Sequence, residues 1–434
     1  MQRFDAIIAG GGVAGSTTAA AMAQQGLRPL LCEAGLPSDR RLAGELMHPP
    51  AAEDLDRVGL LEPLLDAGAV PVYGFAIFED GAPRTVLSYS EIRGGRATSV
   101  AIEHSRMTRA LLDAVTRRDG IEVWEGARVT DVDFGHAEPV ASVKWGNETV
   151  QVQAPLVVSA EGRDSKIRKG AGMTAETGEP FRMVGWNISG GRLPYPGYGH
   201  IFIGDRTTTL AYQMGRDEVR IMFELEMDDP IDIDHLLAAI PSPFVEDVRR
   251  AISDGRRQTA RVLGLNPNGV VRGRLVVVGD AGGCVHPLTA TGIAFCTRDA
   301  LALADHVADD FRDGAGVVEA LSAYDDSRKR PMRARAALGP ALVEALSSQE
   351  PGMRLLRHGL FRYWDRSTRG RAASLGLLST EESRPSVMAR EYARVCFHAL
   401  SGLPRGVLTP RQVVPAIGML VQRSATYFGQ IVRP

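Results

Sequence analysis

The sequence reads as an α/β fold, and three observations carry that reading. Short, almost wholly apolar runs recur at 4–9, 30–33, 155–160 and 274–279, the pattern of strands buried on both faces of a parallel sheet. The first two are joined by a glycine-rich turn and an alanine-rich helical stretch, 13–25, which makes a βαβ opening of about thirty residues. A different texture, strand-rich and punctuated by turns, interrupts the middle of the chain. A helical C-terminal region completes the layout.

Each further element follows from local pattern. Residues 50–58 predict a helix ending near Gly59, residues 70–100 alternate and read as strands, 106–117 as a helix and 121–124 as a strand. The runs 200–203, 208–213 and 219–224 are separated by Gly204-Asp205 and Gly215-Arg216-Asp217, which predicts an antiparallel sheet. The strand at 274–279 leads to a long helix over about 290–311, and from 317 the chain is mostly helical. The expected division is a discontinuous nucleotide-binding domain over 1–180 and 266–330, with strands 70–100 facing substrate. An antiparallel β substrate domain covers 181–265, and a helical region covers 331–434.

Composition narrows the function classes. The 434 residues carry 50 Lys and Arg against 52 Asp and Glu, a net charge of −2 that gives no general attraction to nucleic acid. Residues 351–434 alone hold thirteen arginines, no lysine and four acids, so a basic tail sits on an acidic body. The four cysteines (Cys32, Cys284, Cys296, Cys396) form no CxxC pair and no metal-ligand spacing, which predicts reduced thiols and no metal site. The first strand opens at Phe4, too early for a signal peptide, and no apolar run approaches the roughly 18 residues of a membrane span. A cytoplasmic protein, soluble or peripheral to a membrane, is expected.

The chemistry concentrates in three ordered motifs. Gly10-x-Gly12-x-x-Gly15 lies between a strand and a helix. There Gly10 makes the turn, Gly12 lets a pyrophosphate approach the backbone, and Gly15 lets helix and strand pack closely. The helix start, with Val13 and Ala14, then offers its positive end to the phosphates. Glu33, followed by Ala34, closes the second strand where a carboxylate accepts from ribose hydroxyls. Far downstream, Gly279-Asp280-Ala281 ends another buried strand, and an Asp there suits the ribityl hydroxyls of a flavin. Between them stands Glu161-Gly162-Arg163-Asp164-Ser165-Lys166-Ile167-Arg168. Together the three resemble the signature of FAD-dependent monooxygenases of the aromatic-hydroxylase type. The middle motif departs from that superfamily's D-G-x-x-S-x-x-R in having Glu161 for Asp.

Four further stretches narrow the likeness. Arg41 to Pro49 resembles the R-x-x-G-E-L-x-Q-P segment of squalene epoxidases, and His104-Ser105-Arg106 their H-G-R. The central strands with Tyr212-Gln213 are similar to their sheet. Gly279-Asp280-Ala281 through His286-Pro287-Leu288-Thr289 to Gly292-Ile293 resembles their G-D-A…H-P-L-T-G-G-G-M. The resemblance spans residues 4 to about 330. It implies FAD-phosphate contacts from Arg41 and Arg106, main-chain contacts from Val129 and Ile293, further contacts from Gly292, and a ribityl or pyrophosphate role for Asp280. It also implies a substrate pocket of His48, Tyr73, Phe75, Tyr212, Gln213, Pro287 and Leu288. Where squalene epoxidases carry a polar Tyr and Gln near the flavin, this sequence has Phe75 and His48, so the pocket is rebuilt.

The implied activity is insertion of one oxygen atom from O2 into a hydrophobic isoprenoid or prenylated aromatic substrate, through a flavin C4a-hydroperoxide. NADH or NADPH supplies electrons directly or through a separate reductase. His48 is the candidate catalytic side chain, as a base or a donor to substrate oxygen. Reduction of prenyl double bonds on the same scaffold is the alternative. The W-x-W-x-I-P signature of flavin halogenases is absent from the sequence. In the tail, Met353, Leu356, Leu360, Tyr363 and Trp364 fall on one helical stripe, with Arg354, Arg362 and Arg366 off it. A short apolar stretch at 413–421 follows, with Tyr427 and Phe428 nearby. Two readings stay open: contact with an anionic membrane surface, or packing on the protein's own substrate domain with arginines paired to its acids.

Overall fold

The computed structural model describes residues 1–36, 42–205, 207–313, 316–401 and 410–432. Its first sheet has six strands in the order Val271–Arg272, Leu275–Val277, Val157–Ser159, Ala6–Ala9, Pro29–Glu33, Glu122–Glu125. All neighbours are parallel except the short edge pair formed by Val271–Arg272 and Leu275–Val277. Ile7 pairs with Val157 on one side and Leu30 on the other, and all three are completely buried. That is why these runs alternate so little: both faces need apolar side chains. The helix Val13–Gln24 covers one face, and its small residues let the helix Gly292–Asp313 pack closely beside it.

A second sheet, Gln2–Arg3, Glu148–Gln153, Val140–Trp145 and Ala127–Asp133, was not expected from the sequence. Its exposed face is polar and its apolar face is thin, so the strands show no strong run. A signal was present in Gly146-Asn147, a two-residue turn between paired strands in which Gly146 takes φ +61°.

The third sheet has seven strands in the order Gln258–Val262, Phe181–Ser189, Glu218–Glu226, Thr208–Gly215, Gly199–Ile203, Gly74–Glu79, Ala82–Ser88. The expected purely antiparallel sheet needs correction. Gly199–Ile203 runs parallel to Gly74–Glu79, with Ile201 opposite Ile77. These two strands come from distant parts of the chain, so no hairpin dictates their direction. Residues 74–88 therefore belong to this sheet.

One face of the sheet is covered by the helices Ile233–Leu237 and Phe244–Asp254, with Phe244 and Val248 packed on Trp186, Phe202 and Phe223. The opposite face carries Met183, Leu210, Tyr212 and Met222, and shares one apolar core with the C-terminal helices. Met353, Leu356, Leu360, Tyr363 and Trp364 of the helix Pro351–Arg366 are all buried in that core. The stripe packs inward, which overturns it as a membrane-facing surface. Acids of the body meet the arginines, as in Arg357–Glu79 at 2.8 Å and Arg371–Glu91 at 2.7 Å. Arg362 also lies buried, against the carbonyl of His398.

The boundary expected at 330/331 falls inside one continuous helix, Val317–Ser347, because Pro331 is accommodated within it. Tyr427 and Phe428 have side chains outside the described residues. No described helix is long and apolar enough to cross a membrane.

Candidate active site

A cavity of about 580 Å³ runs from the glycine turn at 10–13 to the inner face of the seven-stranded sheet. Gly10 adopts φ +104°, and a Cβ there would lie 2.5 Å from the carbonyl oxygen of Ala160. A Cβ on Gly15 would lie 1.8 Å from the carbonyl oxygen of Gly10. A Cβ on Gly12 would meet no protein atom within 4 Å, because Gly12 faces the cavity. No side chain caps the helix that begins at Val13, so its first N–H groups stay available to an anion. Gly279, at φ +61°, packs against Ala14 and Cys296 and brings the Gly279–Gly282 turn, with Asp280, to the same cavity.

Glu33 is buried at the end of its strand. One carboxylate oxygen accepts from the Gly11 N–H and the other from the Gly35 N–H, each at 2.5 Å. It therefore holds the glycine turn as well as facing the cavity. The middle motif is a clamp. Glu161 Oε2 accepts from Ser165 Oγ at 2.8 Å and from the Ile167 N–H at 3.0 Å, while buried Arg168 donates to the carbonyls of Ala281 and Arg163. Glu161 thus supports the turn at 161–168, and Arg168 ties this motif to the Asp280 turn.

The sheet side of the cavity is apolar, lined by Leu42, Leu46, Phe75, Met183, Leu210, Met222, Val262 and Leu288. Its buried polar centre is Glu45, to which the sequence reading assigned no role. Arg220 donates to both of its oxygens, at 2.5 and 3.0 Å, and the Tyr212 hydroxyl donates at 2.9 Å. Both charged side chains are at most 1% exposed. Burial and the Glu45 charge push the Tyr212 hydroxyl well above its ordinary range, so it remains a donor.

His48 does not line the cavity. It lies behind Phe75, 5.6 Å between ring centroids, and is completely buried. Its Nε2 is 2.9 Å from the Thr289 carbonyl and its Nδ1 is 2.9 Å from the Tyr89 hydroxyl. A carbonyl only accepts, so Nε2 carries the proton and Nδ1 accepts from Tyr89. Neither nitrogen is free for substrate, and the catalytic expectation gives way to a positioning one: His48 holds the turn Pro287–Thr289. Tyr89, also completely buried, escaped the sequence reading because its partner lies 41 residues away.

Burial holds both His48 and His200 down at about 4, against an ordinary 6.5, so both are neutral in the folded protein at neutral pH. On unfolding they take up protons once the pH is below about 6.5. Stability is therefore expected to fall as pH drops from about 6.5 towards about 4, with roughly 3 kcal/mol from each group at the lower end. His48→Gln, whose amide can donate to Thr289 and accept from Tyr89, should flatten the slope in urea titrations. An unaltered slope would refute the neutral buried imidazole.

Other expected site residues divide clearly. Gly10, Gly12, Val13, Ala14, Glu33, Ala34, Val129, Asp280, Gly292, Ile293, Phe75, Tyr212, Pro287 and Leu288 all line the cavity, whereas Gly15 supports the turn from behind. Gln213 turns away, donating to the Arg216 carbonyl at 2.8 Å, because successive strand residues face opposite ways. Tyr73 lies outside against Tyr198, since Gly74 at φ +145° turns the chain before Phe75. Arg106 pairs with Glu218 and donates to the Met214 carbonyl rather than facing the cavity. Arg41 lies outside the described residues. The arginine and lysine side chains that do line the cavity are Arg128, Arg163, Lys166 and Arg335, none of which was expected at the site from the sequence.

The four cysteines are free; burial pushes the Cys32 thiol up to about 12 and that of Cys284 up to about 11. The described residues contain no cluster of potential metal ligands.

The open cradle at Gly12, the uncapped helix start and the Asp280 turn suit the phosphates and ribityl chain of FAD. Joined to an apolar wall in one cavity, they define an FAD-dependent monooxygenase. The sequence model of the squalene epoxidase family matches residues 153–412, and the chain belongs to that family. It is 27% identical over 422 residues to squalene epoxidase erg1 of Aspergillus fumigatus, covering 91% of this chain and 86% of that one. It is 24% identical over 413 residues to squalene monooxygenase of Mus musculus, covering 91% and 71%. Among solved structures it is similar to pqsL, a probable FAD-dependent monooxygenase from Pseudomonas aeruginosa. There the TM-score is 0.70 and the identity 21%, over 80% of this chain and 97% of that one. It is also similar to p-nitrophenol 4-monooxygenase PnpA from Pseudomonas putida, with a TM-score of 0.71 and 18% identity, over 91% and 99%. The protein uses FAD to insert oxygen from O2 into a hydrophobic substrate, by epoxidation or hydroxylation.

Proposed function

We propose that the substrate is an isoprenoid or a prenylated aromatic compound, oxidised to an epoxide or a hydroxylated product. The observation that carries this is the apolar wall continuous with the nucleotide cradle, whose buried charge, Glu45, is already consumed by Arg220 and Tyr212. A long hydrocarbon chain gains roughly 25 cal/mol per Å² of apolar surface buried there and meets no unpaired charge.

In this reading FAD is bound by Gly10, Gly12, Val13, Ala14, Gly15, Glu33, Ala34, Val129, Asp280, Gly292 and Ile293. The domain over 1–180 and 266–330 holds the cofactor, and residues 181–265 with strands 70–100 hold substrate. Reduced FAD supplies the capacity to activate dioxygen; the chain's own residues bind, orient and exclude water. An alkene is itself the nucleophile in epoxidation, so no general base is required, which fits the withdrawal of His48 behind Phe75. Electrons come from NADH or NADPH, directly or through a separate reductase.

The test is to incubate the FAD-loaded protein, an electron source and prenylated candidates under isotopically labelled dioxygen. One labelled atom should appear in the product by mass spectrometry; a reduced double bond without label would favour the prenyl-reductase alternative. Phe75→Tyr, on the cavity wall, should raise activity toward unfunctionalised polyenes relative to prenylated aromatics. An unchanged ratio would remove Phe75 from specificity.

With the stripe at 353–364 buried, peripheral contact of a cytoplasmic enzyme with a membrane rests on Phe397, Leu400, Val414 and Val421, the large exposed apolar residues among the described side chains of the helices Pro385–Leu400 and Pro410–Val432. The full chain should co-sediment with anionic vesicles at low salt, and Phe397→Ser with Val414→Ser should abolish this. Absence of wild-type binding would reject the contact.

A further inference from the structure

The helix Val317–Ser347 sends two arginines beneath the Asp280 turn. Arg328 and Arg335 are seven residues apart, two turns along one face, and both approach the ring of Phe295, at 5.8 and 4.0 Å from its centroid. Their surroundings differ. Arg328 is paired with Asp299, which also accepts from the Gly279 N–H at 3.3 Å. Among the described residues Arg335 has no such carboxylate contact. Its Nη1 donates to the Gly283 carbonyl at 3.1 Å, its Nε is buried without a partner, and its side chain forms part of the cavity wall. The charges of Asp280 and Asp299 act on it from the turn and from the helix Gly292–Asp313.

The placement of Arg335 offsets charge at the cavity wall. The cavity wall carries Glu33, Glu161, Asp164 and Asp280, yet it must receive the negatively charged pyrophosphate of FAD. Arg128, Arg163 and Lys166 stand at the same wall but share it with solvent, where their charge is screened. A guanidinium placed over an aromatic ring, with a donor to spare, is a strong partner for phosphate or hydroxyl oxygens.

We propose that Arg335 is a cofactor-binding residue. It faces the phosphate-to-ribityl stretch of FAD beside Asp280, so the C-terminal helical region completes the nucleotide site. The proposal rests on the FAD reading of this cavity and adds a contact from outside the glycine-turn and Gly-Asp motifs.

The test uses full-length apoprotein titrated with FAD, followed by quenching of flavin fluorescence. Arg335→Met is expected to weaken FAD binding about tenfold or more, as loss of a hydrogen bond to a charged group does. Arg335→Lys keeps the charge but loses the fork over the ring, so it should lose less than Arg335→Met, and its affinity should fall with added salt as the wild type's does. Arg335→Gln keeps a donor for Gly283 while removing the charge, and is expected to lose as much as Arg335→Met. It serves as the second variant if the methionine form does not fold. Binding by Arg335→Gln within twofold of wild type, or equal losses in the Lys and Gln variants, would overturn the proposal. Wild-type apoprotein that takes up no FAD would instead reject the cofactor site as a whole.

Discussion

Glu45→Ala is expected to destabilise the protein by about 3–5 kcal/mol, because it leaves Arg220 as an uncompensated charge that is completely buried. Three donated hydrogen bonds end on Glu45 from Arg220 and Tyr212, and Gln258, which also accepts from Arg220, carries no charge to replace it. Urea unfolding followed by circular dichroism measures the loss. The double variant Glu45→Met with Arg220→Met should recover most of it, since exchanging a buried ion pair for apolar residues is often neutral or stabilising. If the single variant were as stable as wild type, the pair would not be buried as described.

Gly12→Ala and Gly15→Ala should both deprive the protein of FAD, for different reasons that one pair of measurements separates. Gly12 has φ −70°, which alanine adopts freely, and its Cβ would enter empty cavity space. The apoprotein should melt within about 1 °C of wild type, the shift that about 1 kcal/mol gives in a protein of this size. FAD affinity should still drop at least about tenfold, because the methyl group occupies the place of closest backbone approach. In Gly15→Ala the new Cβ overlaps the Gly10 carbonyl, so the turn and helix must part. Overpacking of this kind costs about 1–3 kcal/mol, and the apoprotein itself should melt lower. Equal apoprotein stability in the two variants would contradict the packing at Gly15.

How far the site could be read from sequence depended on the range of the interaction. The Gly10–Gly15 turn, Glu33 and Asp280 act over a few residues of backbone, and their placement in the cavity followed from strand ends and glycines alone. The inserted sheet was legible as strands, but its Gly199–Ile203 pairing with Gly74–Glu79 was not, because register between distant segments leaves no local mark. Glu45 and Arg220 stand 175 residues apart, and each looks like an ordinary surface residue until the fold brings them together. Arg335 lay hidden for the same reason, within a basic run that reads as a solvated helix face. Tyr73 and Gln213 failed differently: they sit one or two positions from true wall residues, and a glycine twist or strand alternation turned them away.

The parallel pairing of Gly199–Ile203 with Gly74–Glu79 also bears on how the chain is made. The first strand to emerge is GFAIFE, apolar along nearly its whole length, and it pairs on one side with Ala82–Ser88 soon after leaving the ribosome. Its other edge waits for a partner that lies about 120 residues downstream, roughly 6–25 s at ordinary elongation rates. During that interval an open, hydrophobic strand edge is exposed to other nascent chains, the kind of template on which aggregates start. Recovery of soluble protein should therefore depend on translation speed and on chaperones that shield such edges, more than on the stability of the finished fold.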